Sequence, residues 1–255
     1  MFIKLIKYEL FDLFKSRWII GIFLFYFFVG YILSYFSEDF TKSIVGYTSI
    51  SLITLPLFSL LLSSIYLYNN KNFIEFVLTQ PIKRTTIFIS IVLSITISLL
   101  LSFNIASFLP FFYFYGINFI HLKSMLLISS IIPLFISLGM LLATIENDKL
   151  KGIGFSLVVW LFFCVFYDSI LLYFIIVFSN YPIEKIVIFL TLINPIDTIR
   201  LNVLIDSGLY EIMGFVGKWL LKYFKNFWII SIFVSLFYSF LFLLLFSWIF
   251  KKKDF

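Results

Sequence analysis

Six apolar runs set what this chain can become: Trp18–Phe36, Ile44–Tyr68, Ile87–Tyr115, Ser124–Ile145, Gly152–Phe178 and Phe227–Phe250. A bilayer core of ~30 Å asks for about 20 apolar residues in a helix that crosses it, and every run meets that need. A segment that leaves water must satisfy its own backbone hydrogen bonds, which a helix does unaided. The runs therefore predict an all-α polytopic membrane protein, one transmembrane domain over residues 1–255 with six transmembrane helices. The third and fifth runs are long enough to tilt, or to break near one end. Composition points the same way: 62% of the residues are hydrophobic and 13% charged, more apolar surface than a soluble domain could cover.

Orientation follows from the 19 Lys and Arg. Lys4, Lys7, Lys15, Arg17, Lys71, Lys83, Arg84, Lys149, Lys151 and Lys251 to Lys253 flank one side. Lys42, Lys123, Lys185, Arg200, Lys218, Lys222 and Lys225 are spread over the other. The positive-inside rule then places both termini in the cytoplasm of a cell (inner) membrane. The net charge of +6 is accounted for by these flanks, so no nucleic-acid partner is implied. The opening residues are not expected to act as a cleavable signal, because Glu9 and Asp12 interrupt them.

Residues 3–17 place Ile3, Ile6, Leu10 and Leu13 at helical spacing, with Lys4, Lys7, Asp12 and Lys15 elsewhere on the wheel. This pattern suits a helix lying in the inner interface and leading into the first span; the plainer alternative is a frayed basic flank. In the third span Ser90, Ser94, Ser98 and Ser102, followed by Ala106, recur every four residues. Small residues let helices approach closely in lipid, so the stripe reads as a packing seam, with a polar pore lining as the alternative.

Catalytic chemistry is hard to find. Intramembrane catalysis needs clustered ionisable groups at depth, and the candidates are scattered. Asp168 sits near the outer end of the fifth run, ~25 Å along a helix counted from Lys151, where it either breaks the helix, snorkels outward or meets a substrate. His121 falls in a short outer loop and reads as solvated, and Cys164 as an apolar filler. No phosphate-binding loop of the form GxxxxGK[ST] occurs. The chain is therefore expected to be a non-catalytic subunit that binds no cofactor or metal itself, and any ATP and Mg would have to be bound by another polypeptide.

Between the second and third runs the chain turns polar: "NNKNFIEFVLTQPIKRTTIF" spans Asn69–Phe88. "FIEFVLTQ" allows about two helical turns, with Phe73, Phe76 and Val77 on one side and Glu75 elsewhere. Pro81 ends that helix, and Lys83 and Arg84 anchor the next span at the headgroups. On the other side, within an outer loop 179–226, "NPIDTIRLNVLIDSG" carries a helix signature: Asn194 as N-cap, Pro195 as first helical residue and Gly208 as terminator. Asp197 and Arg200 are three apart and can pair, giving either a structural clamp or a docking surface. "YEIMGFVGKWLLKYFKNF" continues as a second amphipathic segment.

The N-terminal "YELFDLFKSRW", the six runs and "FIEFVLTQPIKRTTIF" together resemble permeases of the ABC-2 type. More narrowly, "KGIGFSLVVWLFFCVFYDSILL" and "LINPIDTIRL" resemble the NosY family, permeases of the transporter that supports nitrous oxide reductase maturation. The resemblance implies an elbow helix over 3–17 and a coupling segment over 69–86, with Phe73, Glu75, Phe76, Gln80, Pro81, Lys83 and Arg84 meeting a cytoplasmic NosF-like ABC ATPase. It also implies a homodimer, and a periplasmic NosD-like protein that Asp168, Asn194, Pro195, Asp197 and Arg200 would face. A soft copper ion wants grouped Cys, Met and His ligands, whereas Cys164, His121 and the four Met are dispersed. Force transmission to an outer partner is therefore favoured over passage of bare copper; export of a lipid or amphiphile, or a scaffold without ATPase, are the competing readings.

Overall fold

The computed structural model describes residues 2–37, 39–80, 83–178, 181, 184–209 and 227–252. The described residues are helical, with no strand among them. Among the described residues six helices are long and apolar enough to cross a membrane: Arg17–Phe36, Phe40–Asn69, Arg84–Tyr115, Phe119–Ile145, Lys149–Val177 and Phe227–Phe250. The second and fourth begin several residues earlier than hydropathy alone placed them.

An amphipathic α1 (Phe2–Lys15) precedes α2 (Arg17–Phe36), and a single residue separates the two. Ser16 adopts extended backbone there and its hydroxyl accepts from the Trp18 N–H at 3.2 Å, so one N-cap both ends the surface helix and starts the span. α1 does not lie on its apolar residues alone. Ile3 is 77% exposed, while Glu9 and Leu13 face inward against the third span.

α3 (Phe40–Asn69) holds Pro56 within its length, a break tolerated in spans because neighbours re-satisfy the freed backbone. After α4 (Lys71–Leu78) comes α5 (Arg84–Tyr115), ended by Gly116 at φ 69°. Ser90, Ser94, Ser98, Ser102 and Ala106 are all buried along α5. The Ser94 hydroxyl points to the Ile6 carbonyl of α1 at 3.4 Å, and that of Ser102 donates to Ile19 of α2 at 3.2 Å. The small stripe thus seats α1 and α2 on α5.

The fourth span is two helices in series, α6 (Phe119–Ser129) and α7 (Ile131–Ile145), separated at Ser130. Pro133 supplies the reason, since it cannot donate to the carbonyl four residues back. α7 is the centre of the molecule, with Ile131, Ile132, Leu134, Phe135, Ile136 and Met140 fully enclosed. Gly139 lets it touch α3: a Cβ there would stand 2.8 Å from the Leu60 carbonyl oxygen. The fifth span also divides, into α8 (Lys149–Leu161), a π-helical turn at Phe162–Phe166 and α9 (Tyr167–Val177). It is tied to α3 by Ser64–Ser156 (2.9 Å) and by the Trp160 indole donating to the Ile53 carbonyl (2.8 Å).

Within the expected outer loop, α10 (Glu184–Ile193) and α11 (Pro195–Asp206) form a pair bent by 112° at Asn194. Ten residues are too few to span a bilayer, so the sequence placed α10 inside a loop. The chain re-emerges as α12 (Phe227–Lys252), packed on α7 with Phe246 and Phe250 against Phe88 of α5. The segment "YEIMGFVGKWLLKYFKNF" lies outside the described residues except for Phe227.

His121 corrects a sequence expectation. Because α6 starts at Phe119, capped by Asn118 (2.9 Å to the Ile120 N–H), His121 falls in its first turn rather than in a loop. It is 3% exposed and stacks on Phe111 of α5 at 4.1 Å between centroids.

Candidate functional site

Two places gather the residues that carry chemistry, one at each end of the bundle. At the end where α9 meets the bent pair, the construction starts from Asn194. Its side-chain oxygen caps α11 by accepting from the Ile196 N–H (3.1 Å), and Pro195 follows at the first helical position. The same side chain donates through Nδ2 to Asp197 Oδ2 (2.9 Å) and to the Phe163 carbonyl (3.1 Å). Phe163 belongs to the π turn, where the widened i→i+5 pattern displaces carbonyls from their α-helical partners. Asn194 therefore fastens the corner of the bent pair to the irregular part of the fifth span.

Arg200, one turn along α11 from Asp197, reaches two carboxylates. Its Nη1 donates to Asp168 Oδ2 at 2.8 Å and lies 3.2 Å from Asp197 Oδ1. Asp168 accordingly neither breaks the helix nor snorkels outward: it sits in the first turn of α9 and faces α11. Asp197, with only 10% of its side chain exposed, is the deepest of the three. One cation between two carboxylates leaves the group with a formal charge of −1 when both are ionised. Asp168, Asp197 and Arg200 line a pocket of about 220 Å³ with Leu171, Leu172, Thr191 and Leu201.

Two further ties immobilise α11. Lys123 of α6 pairs with Asp206 at 2.7 Å, each side chain 21% exposed. Asn202, buried, donates to the Thr198 carbonyl at 3.0 Å and to the Ser231 hydroxyl of α12, which in turn donates to Thr198 at 3.2 Å. Gly208, at φ 76°, closes the helix with its N–H on Ile205 at 3.1 Å. Sequence reasoning missed Lys123, Asp206, Asn202 and Ser231, because each partner lies on a different helix and nothing local marks the pairing.

At the opposite end α4 stands between α3 and α5. Asn70 closes α3 by donating from its side chain to the Tyr66 carbonyl (3.1 Å), and α4 starts directly after it. Ile74 (1% exposed) and Val77 (6%) form its inner face. Phe76 points outward at 64% exposure, and Phe73 is half-buried, stacked on Tyr8 of α1 at 5.8 Å. Ile74 and Val77 belong to the buried apolar core of the bundle. Glu75 pairs with Lys71 at 3.9 Å, both well exposed, a contact worth little by itself. Gln80, Lys83 and Arg84 are exposed on the same side, and Pro81 lies outside the described residues.

No family model matches this chain, and no curated protein sequence is similar to it.

Proposed function

We propose that this chain is the membrane permease subunit of an ABC transporter, driven by a separate cytoplasmic ATPase that binds ATP and Mg. The observation that carries this reading is the build of α4. Eight residues are held by Ile74 and Val77 from within and by Tyr8 on Phe73, while Phe76 projects with Lys71, Glu75 and Gln80 around it. An exposed aromatic ringed by polar groups on a rigid support is what a partner's groove can grip. α1 then acts as the elbow, and force applied at α4 enters α3 and α5 directly. Two copies would supply the two permease halves. At the far end, the clamped α11 with Asp168, Asp197 and Arg200 offers a fixed surface to a periplasmic NosD-like protein, in keeping with a role in nitrous oxide reductase maturation.

The test is affinity purification of the tagged chain from its own membranes in mild detergent, with mass spectrometry of the eluate, for wild type, Phe76→Ala and Glu75→Lys. An ATPase that co-purifies with wild type and is lost from both variants supports the reading. An additional β-rich periplasmic protein supports the narrower assignment, and an ATPase alone favours a general exporter of a lipid or amphiphile. Absence of any ATPase across several detergents sinks the permease reading in favour of a scaffold.

A further inference from the structure

We infer that the groove at the N-terminal end of α2 is a binding site for an acidic phospholipid, which seats its phosphate on Arg17 and one acyl chain along α2 and α3. The groove has a volume of about 410 Å³ and is lined by Arg17, Trp18, Gly21, Ile22 and Phe25 of α2 and Phe58 of α3. Its polar and apolar parts are segregated along the helix axis. Arg17 and Trp18 occupy the first turn, and Phe25 lies ~12 Å further on at ~1.5 Å per residue. Phe25 and Phe58 meet edge to face at 5.4 Å, which fixes the floor.

The charge at the mouth selects the head group. Arg17 is exposed and has no hydrogen-bond or ion-pair partner among the described residues. A guanidinium offers a planar fork of donors that matches a phosphate, and the N-terminal end of the α2 dipole adds to the positive potential there. A phospholipid with a neutralising ammonium group would gain less from this single cation than an acidic one. A soluble phosphate would gain nothing from Phe25 and Phe58. Trp18, 45% exposed, has the amphipathic ring that favours the headgroup level.

Gly21 supplies the independent observation. A Cβ at Gly21 would meet no atom within 4 Å, so no packing demand inside the chain calls for glycine. A glycine within a helix carries an entropic cost, and here its one effect on shape is to keep the groove open beside Ile22. The inference does not rest on the transport reading, and it would hold equally for a scaffold.

The test uses the purified full-length chain, stripped of lipid in detergent and titrated with phosphatidylglycerol or phosphatidylcholine, with bound lipid read by native mass spectrometry. Wild type should retain phosphatidylglycerol in preference to phosphatidylcholine. Arg17→Gln should weaken phosphatidylglycerol roughly tenfold, the effect of losing one charge-assisted hydrogen bond, and weaken phosphatidylcholine by less, so that the preference between the two shrinks. Gly21→Leu should weaken both by filling the groove, and its lipid-free unfolding temperature, no lower than that of wild type, would show the fold intact. Equal retention of the two lipids by wild type, or wild-type retention by Gly21→Leu, would overturn the assignment.

Discussion

Glu9→Gln should stabilise the protein above neutral pH and do nothing for it in mild acid. α1 brings Glu9 onto α5 beside Ser90 and Ser94, where it is 2% exposed and its Oε2 has no hydrogen-bond partner among the described residues. Burial pushes the carboxyl up from its ordinary 4.5 to about 7, against the opposing effect of hydrogen bonding from Ser94 and Ser90. Between these two pH values the folded chain keeps a proton that the unfolded chain has released, so stability falls as pH rises and the full loss is reached above pH ~7. At ~1.36 kcal/mol per unit the loss comes to about 3 kcal/mol. Glutamine keeps the shape and the hydrogen-bonding capacity but carries no charge. Reversible denaturation in mixed micelles at pH 5 and pH 8 should give coincident curves at the lower pH and a variant more stable by about 2–3 kcal/mol at the higher. If the difference between wild type and variant stays constant across that range, Glu9 is not buried as described.

Three other outcomes follow from the packing. Asn194→Asp keeps a good N-cap yet cannot donate to Phe163 or Asp197, and it sets a second carboxylate about where Nδ2 stood, 2.9 Å from Asp197 Oδ2; thermal unfolding should show it losing about 3 kcal/mol and faring no better than Asn194→Ala. Alanine should have opposite signs at two glycines: Gly139→Ala is expected to lose about 1–2 kcal/mol from collision with the Leu60 backbone, and Gly21→Ala to gain about 0.5–1 kcal/mol in helix propensity, both read from denaturation midpoints. A double-mutant cycle on Lys123→Met and Asp206→Asn should return a coupling of about 1 kcal/mol, since the pair is short but a fifth exposed.

Sequence reading found the helices that could span the membrane because length and hydropathy are properties of a segment by itself. It also recovered the start of α11, since Asn194 and Pro195 write a cap into adjacent positions. What escaped it depends on distant partners. Asp168 and Arg200 are 32 residues apart, and only the 112° bend at Asn194 brings α11 against α9. The spacing of α4 put Phe73, Phe76 and Val77 on one side, but it could not say that Ile74 and Val77 are the pair buried in the bundle while Phe76 stays exposed. The π turn had no signature in "FFCVF", five apolar residues that any helix would hold.

That turn sets rotational phase. An α-helix advances ~100° per residue, and a π turn absorbs about one residue more than a regular turn would. Beyond Phe162–Phe166, α9 therefore faces ~100° away from where an unbroken helix would aim it. Asp168 follows two residues after the turn and meets Arg200 at 2.8 Å in this phase. Regularising the segment with all its residues kept would carry Asp168 out of reach, although no residue of the cluster had changed, whereas deleting Cys164 would remove the extra residue together with the turn and leave Asp168 aimed at Arg200. The fifth span is in effect two helices joined at an angular offset, α8 keyed to α3 through Trp160 and α9 keyed to α11 through Asp168, and the number of residues between the keys decides whether both can fit at once.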